Sequence, residues 1–284
     1  MFKKNYHMVY CKSSYLIKDD FAEGLKNRAF LLLRDEFMRY FFVEPKALKK
    51  PFAFIEGSEV RHIKNVLRLK PGDKIRVFDG EGFEYEASIH RFLTDRVEIK
   101  IRHKFPGTKE SPVQISVAQA LLKEKKMDRL LRHLCELGMA RWIPFISERS
   151  VPRPGEKRQA DRAQRWAKIV KESCKQCQRS KLPEIIKTLT FEDILEYGSS
   201  CDLQIVFYEN ESATLKSLIK PDPQSSPRKI LLILGPEGGF SDQEIEIARA
   251  AGCVIAGLGS RILRAETAAI AACTLTQFLY GDMG

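Results

Sequence analysis

The sequence of 284 residues lacks a long apolar run. No stretch reaches the roughly 18 consecutive apolar residues that mark a membrane-spanning helix. The first residues, MFKKNYHMVYCKSSYLIKDD, are basic but contain no apolar segment long enough for a secretion signal. We therefore expect a cytoplasmic protein with no membrane partner. At roughly 100–200 residues per domain, the length predicts two domains.

The sequence also lacks a regular cysteine pattern. The seven cysteines are an odd number without regular spacing, so we expect free thiols and no disulfide framework. Cys174 and Cys177 form a single C-x-x-C motif with no second pair. Because structural zinc sites need four ligands, we expect these two thiols to pack in the protein or lie at its surface. We predict no metal site.

The net charge of +11 is unevenly distributed along the chain. Residues 38–110 carry a net charge of +5 and residues 111–190 carry +10, whereas residues 191–284 carry −6. Since phosphate attraction provides most sequence-independent affinity for nucleic acid, this pattern favours a polyanionic partner bound away from the C-terminal segment. A generally basic protein without such a partner is the alternative.

The N-terminal part of the chain divides into an unpatterned extension and a β-rich segment. Residues 1–37 show no periodicity, and we expect a poorly ordered extension that is dispensable for folding and activity. Across residues 38–108 the runs RYFFVE, KIRVFDG, FEYEASIHRF and RVEIKIRHKF predict a small β-barrel, followed by the linker HKFPGTKESP. A short amphipathic helix is predicted between the first two runs, with an apolar face made by Val60, Ile63, Val66 and Leu67.

Residues 109–284 alternate between apolar runs and helical patterns. The runs VQISVAQAL, RWIPFIS, DLQIVFYE, KILLILG and CVIAGLG predict buried strands of a parallel sheet, hence an α/β domain. One helix, SDQEIEIARAAG, begins at Ser241, with Glu244 completing a capping box. The last helical segment, RAETAAIAACTLTQFLYG, is apolar on nearly all faces. It is predicted to be buried within the chain or against a second subunit.

Two loops follow the buried strands at the edge where parallel sheets bind ligands. The first is Gly-Pro-Glu-Gly-Gly at 235–239, and the second is LGSRILRAETA at 258–268. Glycines permit positive φ and let a ligand approach the backbone. Neither loop has the phosphate-binding patterns G-x-x-x-x-G-K-S/T or G-x-G-x-x-G, and Glu237 would repel a phosphate. A ligand with a positively charged or neutral head is therefore favoured.

This pair of loops resembles the cofactor site of the SPOUT class of RNA methyltransferases. Within that class, the blocks MRYFFVEP, HIKNVLR, ELGMARWIPFISERS and FLYGDMG are similar, in order, to those of the RsmE family across residues 38–284. That family methylates N3 of one uridine in 16S ribosomal RNA. The resemblance implies S-adenosyl-L-methionine as the cofactor, a homodimer, and 16S ribosomal RNA within the small ribosomal subunit as the partner.

For the fold, the resemblance implies a PUA-like RNA-binding domain at 38–108 and a SPOUT methyltransferase domain at 109–284 whose chain forms a trefoil knot. Ordinary fold rules argue against threaded chains, so the knot is expected from family likeness alone. The exact target nucleotide, the state of the RNA substrate and the general base stay open at this point. Two other functions also stay open, an RNA-binding assembly factor without catalysis and a methyltransferase for the ribose 2′-OH of transfer RNA.

Carried over by position, the resemblance assigns roles to individual residues. Arg264 is expected to stabilise negative charge on the uracil, or else to brace the knot or pair with Glu237. Glu237 and Glu266 are the candidate bases, and Glu266 and Thr267 could instead cap the last helix. The expected RNA contacts, for which structural roles are the alternative, are Arg39, His62, Arg68, Arg149 and Arg179. The expected cofactor residues are Leu234, Gly235, Glu237, Gly238, Gly239, Leu258, Gly259, Ile262, Leu263, Arg264 and Thr267.

Overall fold

The computed structural model describes two β-sheets with their helices. The extension predicted at residues 1–37 lies outside the described residues. The described residues are 39–49, 51–123, 125–213, 215 and 226–284.

The N-terminal sheet has five strands in the order β1-β3-β4-β5-β2. Strand β1 runs parallel to β3, and the other pairs are antiparallel. The two end strands each pair along one edge in the described part of the chain, so the predicted barrel is incompletely closed. Buried positions alternate with more exposed ones along β1 and β2, whereas β4 and β5 also contain runs of consecutive buried residues. The strands are β1 (Tyr40–Phe42), β2 (Phe52–Glu56), β3 (Lys74–Phe78), β4 (Phe83–Phe92) and β5 (Arg96–Pro106).

The segment between β2 and β3 differs from the predicted amphipathic helix. A single α-turn, α1 (Ser58–Arg61), continues into a π-helical turn at His62–Val66. Val60 and Ile63 are buried as predicted, but the side chain of Val66 is 67% exposed. A π-turn holds more residues than the 3.6 of an α-turn, so it rotates later positions away from the face that an α-helical period assigns them. The prediction for Val66 is therefore wrong.

The C-terminal sheet is parallel throughout its described pairs, which confirms the α/β prediction. The strand order is β12-β10-β11-β6-β7-β8, and β9 also pairs with β7. Strands buried on both faces need apolar side chains at nearly every position, which explains the continuous apolar runs in the sequence. The strands are β6 (Gln114–Ala120), β7 (Arg141–Ile146), β8 (Glu184–Ile185), β9 (Leu189–Thr190), β10 (Leu203–Phe207), β11 (Lys229–Leu234) and β12 (Val254–Ala256).

Helices cover both faces of this sheet and form two separate cores. One core contains residues of α2, α3 and α6, and the other contains residues of α4 and α5. The predicted capping box at the start of α5 is confirmed, because Ser241 and Glu244 each accept from the other's backbone N–H. The helices are α2 (Lys126–Glu136), α3 (Glu156–Cys177), α4 (Phe191–Gly198), α5 (Asp242–Ala250) and α6 (Ala265–Tyr280).

Helix α3 connects the two sheets through charged contacts. Lys171 Nζ lies 3.1 Å from Glu44 Oε1 and 4.2 Å from the ring centroid of Phe42. One turn further along, Lys175 pairs with Glu59 of α1. Part of the positive charge that the sequence places in residues 111–190 is therefore used in ion pairs within the protein and is not free to attract a partner.

Candidate active site

A cavity of about 360 Å³ lies at the carboxyl ends of β10, β11 and β12. Ligand-binding pockets commonly measure roughly 300–1,000 Å³, so this cavity can hold a nucleoside-sized molecule. Both loops expected from the sequence line it. The first loop follows β11 and the second follows β12, so the parallel arrangement of these strands brings the segments before α5 and after β12 to one edge of the sheet.

Hydrogen bonds from neighbouring elements hold the first loop. Gln119, at the end of β6, donates from Nε2 to the carbonyl of Gly235 at 2.9 Å. Arg149, in the segment after β7, donates from Nη1 to the carbonyls of Gly238 and Phe240 at 3.2 and 3.0 Å. These side chains satisfy carbonyls that the turn leaves without partners, and so they fix the path of the loop.

Two adjacent glycines of the first loop differ in what they require. Gly239 has a φ of +68°, and a Cβ at this position would overlap the carboxylate of Glu209. Gly238 does not have a positive φ. A Cβ added to Gly238 would lie 3.3 Å from its nearest neighbour, Arg149 Cβ. Glycine is therefore required at position 239 on conformational grounds, since the exposed carboxylate of Glu209 could rotate away, whereas an alanine at 238 would need only a small adjustment.

Glu237 of the first loop is paired with a lysine that sequence analysis missed. Lys126 Nζ lies 3.0 Å from Glu237 Oε1, which also accepts from the backbone N–H of Lys123 at 3.1 Å. Burial raises the pKa of Glu237, but these bonds outweigh it and leave the pKa below its usual value. The same hydrogen bond raises the pKa of Lys126. A signal was present in the sequence, since the lysine-rich stretch KEKKM directly follows β6, the neighbour of β11.

The second loop has few contacts of its own. The N–H of Gly257 donates to the carbonyl of Ala213 at 2.8 Å, close to where the loop leaves β12. Residues 258–263 make no hydrogen bond to another described residue. Gly259 has a φ of +99° with open space around it, and the side chain of Ile262 is 88% exposed. An apolar side chain that is exposed beside a cavity is available for a ligand to cover.

The second loop ends at the start of α6. Arg264 is the N-cap residue, no side chain caps the helix, and the guanidinium of Arg264 makes no hydrogen bond or ion pair with a described residue. The capping role considered for Glu266 and Thr267 is therefore wrong, as is the pairing of Arg264 with Glu237. Glu266 Oε2 is buried without a hydrogen-bond partner in the described part of the chain, 3.8 Å from Lys126 Nζ.

The structure brings most of the expected cofactor residues to the cavity. Gly238 and Thr267 are the two that do not line it. The expected residues that do are Leu234, Gly235, Glu237, Gly239, Leu258, Gly259, Ile262, Leu263 and Arg264. The lining residues that sequence analysis did not assign to the cofactor are Lys126, Phe207, Tyr208, Glu209, Pro236, Arg261, Ala265, Glu266 and Ala268.

The residues expected to contact RNA fall into three environments. Arg39, His62 and Arg68 are exposed on the N-terminal sheet and its π-turn. Arg68 has a φ of +52°, an uncommon conformation for a residue with a side chain, just beyond the C-cap residue of the π-turn. Arg149 is exposed but is engaged with the first loop. Arg179 lies in the interior.

Arg179 corrects the sequence prediction. The residue is only 4% exposed and its guanidinium makes a bidentate ion pair with Glu110, 2.7 Å at its shorter contact. It also donates to the carbonyls of Cys135 and Met139 at 2.9 Å each, so every nitrogen of the fork has a partner. A buried guanidinium with a partner at every nitrogen stabilises the packing of α2 and α3, and its burial withdraws it from contact with RNA.

The remaining predicted features lie away from the cavity. Cys174 is buried and Cys177 is half-buried, and no cluster of three or more His, Cys, Asp or Glu suited to a metal occurs among the described residues. In the same part of the chain, no helix combines the length and apolar character needed to cross a membrane.

Comparison with known families places this geometry in a defined group. Residues 109–277 match an RNA methyltransferase domain, and residues 55–91 match an RNA methyltransferase PUA domain. The ribosomal RNA small subunit methyltransferase E of Bacillus subtilis is 31% identical over 86% of this chain and 100% of its own. The chain belongs to the ribosomal RNA small subunit methyltransferase E family.

Solved structures of the family agree with the sequence comparison. The ribosomal RNA small subunit methyltransferase E from Neisseria gonorrhoeae, bound to S-adenosyl methionine, has a TM-score of 0.78 and 32% identity, covering 87% of this chain and 100% of its own. A methyltransferase from Legionella pneumophila in complex with the same cofactor has a TM-score of 0.78 and 29% identity, covering 86% and 99%. These similarities extend over both sheets described above.

Proposed function

We propose that this protein methylates N3 of a specific uridine in 16S ribosomal RNA, with S-adenosyl-L-methionine as the methyl donor. The observation that carries the proposal is the cavity between the two loops, lined by nine of the residues expected to hold the cofactor. Family membership supports the same activity, because relatives are named as ribosomal RNA methyltransferases and two similar solved structures contain the cofactor.

The residues of the cavity fit this cofactor. Leu258, Leu263 and Ile262 offer apolar surface for an adenine ring, while the glycines of both loops leave the backbone accessible. Glu237 and Glu266 place carboxylate groups on the wall of the cavity, and these groups suit a sulfonium cation and not a phosphate. Glu266 Oε2, buried without a hydrogen-bond partner among the described residues, can accept a hydrogen bond from the ligand. The bound cofactor supplies a methyl group already activated by the sulfonium.

The protein then has to position uracil and stabilise the charge that develops on its ring. Uracil N3 must lose its proton before it attacks, which leaves negative charge on the ring. Arg264 lines the cavity with a guanidinium that has no partner among the described residues, and we assign it the role of stabilising that charge. Glu266 is our candidate base, because Glu237 Oε1 already accepts two hydrogen bonds. Holding both reactants in line supplies much of the acceleration.

RNA binding is assigned to the N-terminal sheet. Its match to a PUA domain of RNA methyltransferases, and the exposed positions of Arg39, His62 and Arg68, support this division between residues 38–108 and residues 109–284. The basic charge of the chain before residue 191 would attract phosphates of the small ribosomal subunit. We place the protein in the cytoplasm, where that substrate is assembled.

A homodimer and a knotted chain complete the proposal. The C-terminal half of α6 and the residues after it expose apolar side chains, with Phe278 60% exposed and Leu275 41% exposed. A second copy that covers this face would remove the apolar area from water. The hydrogen bond between Gly257 and Ala213 joins the chain after β12 to the segment that follows β10, and the knot is proposed from the resemblance to the family.

The activity can be tested on ribosomal RNA from a strain that lacks the gene. N3 methylation blocks the Watson–Crick edge, so primer extension on wild-type 16S RNA should stop at the modified uridine and read through in the deletion strain. Expression of the wild-type protein should restore the stop, and expression of a Gly239→Val variant should not. Identical primer-extension patterns in the wild-type and deletion strains would overturn the proposed function.

A further inference from the structure

Six charged side chains line the cavity, in equal numbers of each sign. Among the described residues, Lys126 is the cation of this set that forms ion pairs with carboxylates of the set. The two arginines of the second loop make no such pair there. The carboxylates are Glu209, Glu237 and Glu266, and the cations are Lys126, Arg261 and Arg264.

Lys126 lies between the two loops. Its Nζ is 3.0 Å from Glu237 Oε1 in the first loop and 3.8 Å from Glu266 Oε2 at the start of α6. Its side chain is one-third exposed, so solvent screens the ion pairs only in part. Lys126 belongs to α2 and so lies outside both loops, and at these distances it reaches both carboxylates without movement of either loop.

The proposed reaction changes the charge inside this cavity. The lone pair of deprotonated uracil N3 forms the new N–C bond while the C–S bond breaks and its electron pair returns to sulfur. The cationic sulfonium therefore becomes a neutral thioether, and the anionic uracil becomes neutral. Cofactor and product differ by one methyl group and one positive charge. A wall of carboxylates binds the cation more tightly than the thioether, and a lysine that neutralises those carboxylates reduces the difference.

We propose that Lys126 is a specificity-determining residue that limits the preference of the cavity for the cationic cofactor over its neutral product. This inference rests on the proposed function, which supplies the two ligands. By pairing with Glu237 and Glu266, Lys126 keeps the carboxylates available for hydrogen bonding while cancelling part of their charge. The residue acts through these carboxylates, and so it tunes the relative affinity of two ligands that fill the same space.

The test is calorimetric measurement of Kd for S-adenosylmethionine and S-adenosylhomocysteine on the purified full chain. We expect Lys126→Gln to raise the ratio of product Kd to cofactor Kd by about three- to tenfold. This is the effect of removing one positive charge that solvent partly screens. Lys126→Arg keeps the charge and should leave the ratio unchanged even if both affinities fall. Lys125→Gln is the matched control, since it removes the same charge from an adjacent, exposed lysine.

A compensating variant sharpens the result. Glu266→Gln alone should lower the ratio, and Lys126→Gln with Glu266→Gln should return it towards the wild-type value, because the net charge of the wall is then restored. Glu266→Gln also keeps the proposal testable if Lys126→Gln does not fold. A melting curve of each variant verifies folding.

Two results would overturn the inference. Equal weakening of both ligands by Lys126→Gln would make Lys126 only a brace between the loops. An unchanged ratio in Glu266→Gln would show that the wall charge does not select between the ligands. Either result leaves the proposed function intact, since the wild-type protein would still bind the cofactor. A wild-type protein that binds neither ligand would instead overturn the proposed function, and this inference with it.

Discussion

The two loops that line the cavity are held very differently. Side chains from three other elements bond to the first loop, at the carbonyls of Gly235 and Gly238 and at the carboxylate of Glu237. Residues 258–263 of the second loop make no hydrogen bond to a described residue, and Ile262 extends into solvent. Both loops follow parallel strands and both contain glycine, so the difference comes from what packs around them.

This difference indicates a division of labour within the cavity. The hydrogen bonds that hold the first loop come from this chain and do not involve a ligand, so little ordering of the loop has to accompany binding. In the second loop, the guanidinium of Arg264 has no partner among the described residues and Ile262 is exposed, so both are available to a ligand or a second subunit. We therefore expect substitutions in the first loop to affect cofactor affinity, and substitution of Arg264 in the second loop to affect the reaction more than cofactor binding.

The largest effect is expected at Gly239. A valine there would require a positive φ and would overlap Glu209, so Gly239→Val should weaken cofactor binding by at least about a hundredfold in calorimetry. The matched pair is Gly239→Ala and Gly238→Ala, because only position 239 has a positive φ. We expect a strong loss of affinity in the first and a loss of less than about fivefold in the second. Equal affinities in a folded pair would contradict the assigned geometry.

Arg264→Ala should affect the chemical step. If the guanidinium stabilises charge on uracil, removing it should lower the single-turnover rate by about ten- to a thousandfold at saturating RNA and cofactor. Both binding affinities should change little. Arg264→Lys keeps the charge but loses the planar fork, and an intermediate rate is expected. A near-wild-type rate in Arg264→Ala would remove this residue from the catalytic assignment.

Arg149→Ala tests whether the first loop depends on its brace. Loss of hydrogen bonds to two carbonyls should weaken cofactor binding by about three- to thirtyfold, as expected for one or two bonds of ordinary strength. The salt dependence of RNA binding should stay at the wild-type value, because the guanidinium is assigned to the loop and not to phosphate. A shallower salt dependence with normal cofactor affinity would return Arg149 to the RNA contacts.

The smallest effect on the cavity is expected from the N-terminal sheet. Arg39→Gln and Arg68→Gln should each lower the slope of log K against log salt for RNA binding by about one unit if each arginine meets one phosphate. Cofactor affinity should be unchanged in both variants. Arg179→Gln is an informative contrast, since it should lower the melting temperature by breaking a buried ion pair. A normal salt slope in Arg39→Gln and Arg68→Gln would remove both from the RNA surface.

Sequence patterns predicted the elements whose signals are local. The apolar runs gave five strands of the parallel sheet, and the capping box at Ser241 and Glu244 marked the start of α5. Shorter signals were missed, including β2 in FAFIE and α4 in FEDILEYG, although α4 begins with its own capping box at Thr190. Val66 was assigned to the wrong face because a period of 3.6 residues does not describe a π-turn.

The sequence by itself determined the parallel α/β architecture and the two loops, because hydrophobic periodicity and glycine-containing strand ends reflect interactions between residues close along the chain. Only the tertiary structure decided which side chains from distant parts of the chain come into contact. It paired Lys126 with Glu237 from 111 residues away, buried Arg179 against Glu110, and made Gly239 rather than Gly238 the position that requires glycine. Such pairings depend on the three-dimensional neighbourhood. The lysine-rich stretch after β6 offered candidates such as Lys126, but nothing local in the sequence specified which carboxylate they would meet.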